Sequence, residues 1–159
     1  MLEALADRCV GPAGKRWARA LPFASTRDEV LTRLAEVREA FELDASGEPL
    51  PLSELFDVAG AVERARIGAV LSNEEIRGVA ASLGAARGLR RFLQSRRLAV
   101  PALFAACATD PALDTLEREL ASAFDPDGTL SDRASPRLEE LRSEARSSRA
   151  RLVRRLEEL

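Results

Sequence analysis

Two short stretches each announce the start of a helix, and together they commit most of this chain to one class of structure. In "STRDEV" Thr26 stands three residues before Glu29, and in "LSNEEI" Ser72 stands three before Glu75. A Ser or Thr so placed accepts from the backbone N–H three residues on, and the Glu reaches back to the capping residue, so two of the orphaned donors of a helix start are satisfied. Behind the first box Val30, Leu34, Val37 and Phe41 recur at spacings of 4, 3 and 4, which makes one apolar stripe. Behind the second, Ile76, Val79, Leu83, Ala86 or Arg87, Leu89 and Leu93 predict a buried face on a helix running to about Arg97. Such a helix would be roughly 37 Å long. Gly78, Gly84 and Gly88 lie inside it. Each costs ~1 kcal/mol against Ala, so the spacing implies either the close approach of another helix or a kink.

The remainder punctuates into further helices. Residues 2–9 read as the end of a helix stopped by Gly11-Pro12, and 13–20 as a second short one. Ser53 is expected to cap a helix to about Arg66 with Leu55, Phe56, Ala59 and Val62 inward. Pro101 and Asp110-Pro111 open two more, over 101–108 and 111–123. Ser135-Pro136 opens the last, in which Leu138, Leu141, Ala145, Ser148, Leu152, Leu156 and Leu159 form a narrow seam close to a coiled-coil heptad. That seam still runs at Leu159 with no C-cap, so the helix is expected to continue beyond it. Aromatic residues are only 4% of the chain, with no Tyr and one Trp (Trp17). The abundant Ala, Leu, Arg and Glu are strong helix formers. The expected fold class is all-α: a multi-helix core domain over 1–134, long enough to bury a real core, and a long, truncated helix over 135–159.

Several kinds of chemistry are argued against. The chain has no histidine, so the usual neutral-pH base and the commonest zinc ligand are missing. Cys9 and Cys107 are far apart and form no CxxC pair, which suits small core residues in a reducing cytoplasm. No apolar run approaches the ~18–20 residues of a membrane span, and no leader pattern is present. "GPAGKR" (11–16) echoes a phosphate loop but has two residues between its glycines and Arg16 where Ser or Thr is required. The acidic stretch "DPDGTLSDRASP" suggests a calcium loop. Counted from Asp125, however, Leu130 takes the glycine position and Pro136 the final glutamate position. No catalytic, metal or cofactor residue is assigned.

The most functional-looking surface feature is basic. Residues 77–97 hold six arginines and no acid, whereas 98–132 hold seven acids and one arginine. Arg87, Arg90, Arg91 and Arg97 share a helix flank, with Arg96 beside them. Two readings stand: contact with nucleic-acid phosphates, or internal pairing with the acidic segment 110–119.

Segment order carries a family resemblance. "GKRWARALPFASTRDEVLTRLAEVREAFEL", "FDVAGAVERARIGAVLSNEEI" and "DGTLSDRASPRLEELR", in this order, resemble the core domain of the MutS family and its junction with the lever helix. The wording around Ala134-Ser135-Pro136 and Leu138-Glu139-Glu140-Leu141-Arg142 is similar to the second bacterial branch, MutS type two. The resemblance implies a core over 1–134 and the first lever helix over 135–159, with Ser135 and Pro136 as hinge and cap. It also implies a full-length, homodimeric protein with a clamp, a P-loop ATPase using ATP and magnesium, and an endonuclease domain. That protein would act on branched DNA in suppressing recombination, or on ribosomal RNA in rescuing collided ribosomes. The motifs of those activities do not occur in these 159 residues. The competing reading is a stand-alone adaptor that oligomerises through the Leu138–Leu159 seam.

Overall fold

A computed structural model describes residues 1–52 and 55–157. The chain is all-α: α1 (Leu2–Ala6), α2 (Pro12–Arg19), α3 (Arg27–Ala45), α4 (Ala59–Arg66), α5 (Asn73–Ser95), α6 (Pro101–Ala106), α7 (Leu113–Ser122), a 3-10 turn (Asp132–Ala134) and α8 (Pro136–Glu157). The one β feature among the described residues is a single antiparallel bridge between Phe124 and Leu130.

Local chemistry sets the helix starts. At Ser72 both halves of the capping box form: Ser72 Oγ accepts from Glu75 N–H, and Glu75 accepts from Ser72 N–H at 2.9 Å. At Thr26 the first half forms, at 3.2 Å, but Glu29 reaches one residue further and accepts from Ser25 N–H. α5 is continuous, so its glycines do not break it. A side chain at Gly78 would meet Phe56 and one at Gly84 would meet Glu117 of α7, whereas Gly88 faces open space. Two of the three glycines thus lie where another part of the chain comes close.

Ser53 lies outside the described residues, as does Leu159. The helix expected from Ser53 starts six residues later, at Ala59. Residues 55–58 are held non-helical by tertiary bonds. Phe56 N–H donates to Ser82 Oγ of α5, and Asp57 pairs with Arg16 of α2.

The larger departure concerns α3. Its apolar stripe faces solvent, with Val30 42%, Leu34 60%, Val37 66% and Phe41 72% exposed. The face that α3 buries carries Glu39 and Leu43. Glu39 explains the choice. One carboxylate oxygen accepts from Ala102 N–H at 3.1 Å and the other from Leu103 N–H at 2.8 Å. These are the second and third residues of α6, whose N-cap, Val100, has no side-chain acceptor. The carboxylate therefore caps α6 from a helix 63 residues away. This contact turns α3 so that Leu43 enters the core and the stripe points out.

The core is small for the chain's length. Leu43, Leu93, Val100 and Leu103 are buried together, with Ala40, Leu50, Leu89, Phe92, Phe104 and Cys107 packed around them at the junction of α3, α5 and α6. Ile76, Val79 and Leu83 of α5 are only partly covered. Total accessible surface is 11912 Å². A compact chain of this mass would expose about 7,800 Å². The excess comes from α8, which packs chiefly on its own 3-10 turn, and from uncovered apolar faces such as that of α3.

Candidate functional site

The arginines on α5 are the first candidates, and α7 decides what they can do. α7 runs along α5 and brings its acidic face to the arginine flank. Arg90 donates to Asp114 at 2.5 Å and to Thr109 at 3.1 Å. Arg87 lies 3.1 Å from Glu117, which is buried. That carboxylate oxygen makes no directed hydrogen bond, so the contact is a charge pair across the helix interface. Arg96 donates to Glu48 at 2.8 Å and lies over the Phe92 ring, 3.9 Å from its centroid. The bond from Arg96 holds the Glu48 carboxyl below the ordinary range. Arg91 and Arg97 are exposed and make no ion pair among the described residues. Of the five arginines, Arg87 and Arg90 thus face the acidic segment 110–119 and Arg96 faces Glu48, which leaves Arg91 and Arg97 open to solvent.

The junction before α8 is the second candidate. Asp125, Asp127 and Asp132 do not converge, and no group of three or more acidic or thiol side chains among the described residues is arranged to hold a metal ion. Asp127 accepts from Thr129 N–H at 2.9 Å and Thr129 Oγ1 at 2.7 Å, and these bonds lower its pKa. Gly128 sits at φ 83°, a left-handed conformation, with the Arg77 guanidinium carbon 2.9 Å from where a Cβ would stand. Gly128→Ala therefore meets both an unfavourable φ and a crowded neighbour. We expect a loss of about 1–2 kcal/mol, read as a lowered midpoint in thermal or urea unfolding.

Ser135 and Pro136 stand at the start of α8. Ser135 Oγ accepts from Leu138 N–H at 3.1 Å, and Pro136 is the first residue of α8. The role of Asp132 here has no local signature in its neighbours along the chain. Asp132 accepts from Arg142 at 2.5 Å and from Arg146 at 3.2 Å, while Arg142 also donates to the Leu130 carbonyl at 2.8 Å. Two successive turns of α8 are thus tied to the 3-10 turn in front of it. The bonds from Arg142, then Arg146, pull the Asp132 pKa down. A depressed carboxylate pKa adds stability above the unfolded value, near 3.9, which is lost as pH falls through the folded one. We expect amides in residues 130–146 to exchange faster in Asp132→Asn at neutral pH. The wild-type junction should loosen in the same way below about pH 4.

"GPAGKR" forms the turn and first residues of α2, where Gly14 packs against the Cys9 side chain, a helix-to-helix connection with no preceding strand. Cys107 lies against the core, and burial pushes its thiol pKa up. No described helix is long and apolar enough to cross a membrane.

No protein-family model matches the chain, and no solved structure matches it. Curated relatives do. The chain is 37% identical over its full length to Endonuclease MutS2 of Anaeromyxobacter sp. (strain Fw109-5), and this match spans 20% of that protein. It is 34% identical over 98% of its length to Endonuclease MutS2 of Symbiobacterium thermophilum, spanning 19% of that protein. It is 28% identical over 99% of its length to the Putative endonuclease MutS2 of Bacillus subtilis, again spanning 20%. The chain thus covers about a fifth of the length of the curated relatives it matches. It is, along its whole length, a relative of the amino-terminal fifth of the MutS2 endonucleases, the second bacterial branch of the MutS family.

Proposed function

We propose that this chain is the non-catalytic core and lever portion of a MutS2-type protein, and that its unpaired surfaces are covered by later parts of the same polypeptide. The observation that carries this is the apolar face of α3. Val30, Leu34, Val37 and Phe41 form a continuous stripe that the described residues leave in water, on a chain exposing about 4,000 Å² more than a compact one of its mass. That is the size of surface which obligate interfaces bury. In the whole protein, ATP and magnesium would be held elsewhere, since neither the glycine turn before α2 nor the aspartates before α8 fit them. The role of 1–134 would be to support, and that of α8 to transmit. A stiff helix anchored by Asp132 can couple nucleotide state at one end to nucleic-acid grip at the other if both ends bias a shared two-state element. The target class would be branched DNA or ribosomal RNA, and the active form a homodimer.

The test has two steps. The reading frame should continue past Leu159 and later encode a GxxxxGK[ST] loop, and a stop codon directly after residue 159 sinks the proposal. Hydrogen exchange at residues 30–41 should then be far slower in the extended protein than in the 159-residue chain. Equal exchange would mean that nothing downstream covers α3.

One observation favours a second reading. Leu141, Leu152 and Leu156 of the α8 seam are exposed, as a free-standing oligomerisation helix requires. A sedimentation coefficient that stays monomeric at all concentrations argues against it.

A further inference from the structure

We propose that the second half of α8 is a contact surface for the phosphate backbone of double-stranded nucleic acid. This site rests on the nucleic-acid reading above but moves it from α5 to another element. Residues 145–156 hold five arginines, Arg146, Arg149, Arg151, Arg154 and Arg155, and no acid. All five are exposed. The contrast with α5 is the point: there α7 and Glu48 supply carboxylates to Arg87, Arg90 and Arg96. On α8, among the described residues, Arg146 reaches Asp132, Arg151 donates to Ser148 Oγ at 3.1 Å, and Arg149, Arg154 and Arg155 make no ion pair.

Charge spacing along the helix does not explain Arg146, Arg149 and Arg151, although Arg154 and Arg155 stand three or four residues before Glu157 and Glu158. Arg146 and Arg149, Arg151 and Arg154, and Arg151 and Arg155 stand three or four residues apart, so like charges face each other along the surface. Each such pair destabilises an isolated helix by a few tenths of a kcal/mol. The helix dipole favours cations only within the last turn, whereas Arg146, Arg149 and Arg151 lie further back.

Nor does a partner helix explain it. At 100° per residue, Arg149 and Arg155 flank the Leu138–Leu156 seam, where a neighbour's carboxylates could reach them. Arg146, Arg151 and Arg154 stand behind the seam, on the side that stays in solvent when the seam is covered. From Arg146 to Arg154 is about 12 Å of helix, a length over which a duplex presents about seven phosphate charges. A membrane surface fits less well. The apolar side of α8 has no aromatic residue and is interrupted by Ala145 and Ser148, so it offers little to bury among acyl chains.

Fluorescence anisotropy with a labelled 30-base-pair duplex tests the site on the 159-residue chain. We expect Arg151→Gln with Arg154→Gln to weaken binding by about tenfold at 50 mM salt and to lower the salt slope by about 1.8. The charge-matched control, Arg91→Gln with Arg97→Gln on α5, should bind close to wild type. Gln keeps helix propensity, and circular dichroism should show unchanged helicity. Wild-type binding that survives the α8 changes, or falls equally in the α5 control, overturns the site while leaving the nucleic-acid reading intact. Absence of wild-type binding at 50 mM salt overturns both for this segment. Binding to phosphatidylserine vesicles without binding to the duplex overturns the proposal in favour of a membrane surface.

Discussion

Replacing Glu39 with Ala should lower the stability of this chain by about 2–4 kcal/mol, a large effect for a charged residue on a helix. Glu39 is 5% exposed and both of its carboxylate oxygens are occupied, by Ala102 N–H and Leu103 N–H. Those donors belong to the start of α6, where no local side chain caps them. Alanine leaves one buried and one half-buried N–H group without an acceptor and removes a negative charge from a helix N-terminus. For a chain of this length the loss corresponds to a midpoint about 6–12 °C lower in a thermal melt. Glu39→Gln should fall between the two, because the amide keeps one acceptor oxygen and turns its NH2 toward a donor. If Glu39→Ala melted like wild type, the long-range cap would not hold α6, and the orientation of α3 would need another cause.

Leu93→Ala should cost as much or more. Leu93 is 0% exposed and is the largest side chain of the described core that is fully buried. It meets Leu43 of α3 together with Val100 and Leu103 of the α6 region. Truncation removes the transfer free energy and leaves a cavity, for an expected loss of about 3–4 kcal/mol. A core this small has little redundancy, so the cavity takes a large share of a marginal total. Phe41→Ala on the exposed face of α3 should change stability by less than about 0.5 kcal/mol, although Phe41 belongs to the apolar stripe of that helix. Urea unfolding of the two variants side by side checks both statements. A Phe41→Ala cost as large as that of Leu93→Ala would show that the stripe is buried in the chain alone.

These two residues also mark where the sequence could be read and where it could not. Leu93 belonged to the apolar face expected for the second capped helix, and it is buried there. Glu39 gave no signal, since a glutamate between Arg38 and Ala40 on a helix reads as a solvated side chain. Its role needs a helix start 63 residues downstream. The stripe of α3 misled for a related reason. Periodicity shows that a helix has an apolar face but not which element covers it, and here none of the described elements does. The arginines repeat the lesson. Composition located the α5 cluster, but only the docking of α7 showed which of its members are neutralised. On α8 the same composition is interleaved with a leucine seam that dominates the pattern.

What the sequence determined by itself is the set of helices and most of their ends. Ser72 with Glu75, Thr26, Pro101, Pro136 and Ser135 act on backbone groups within four residues, so their effect does not depend on the rest of the fold. Tertiary structure alone decided which faces are covered. It turned Glu39 inward and Phe41 outward, kept residues 55–58 out of a helix, and tied α8 to the turn before it through Asp132. Each of those outcomes depends on a partner that packing supplies, and side-chain spacing along the chain carries no information about where that partner will be.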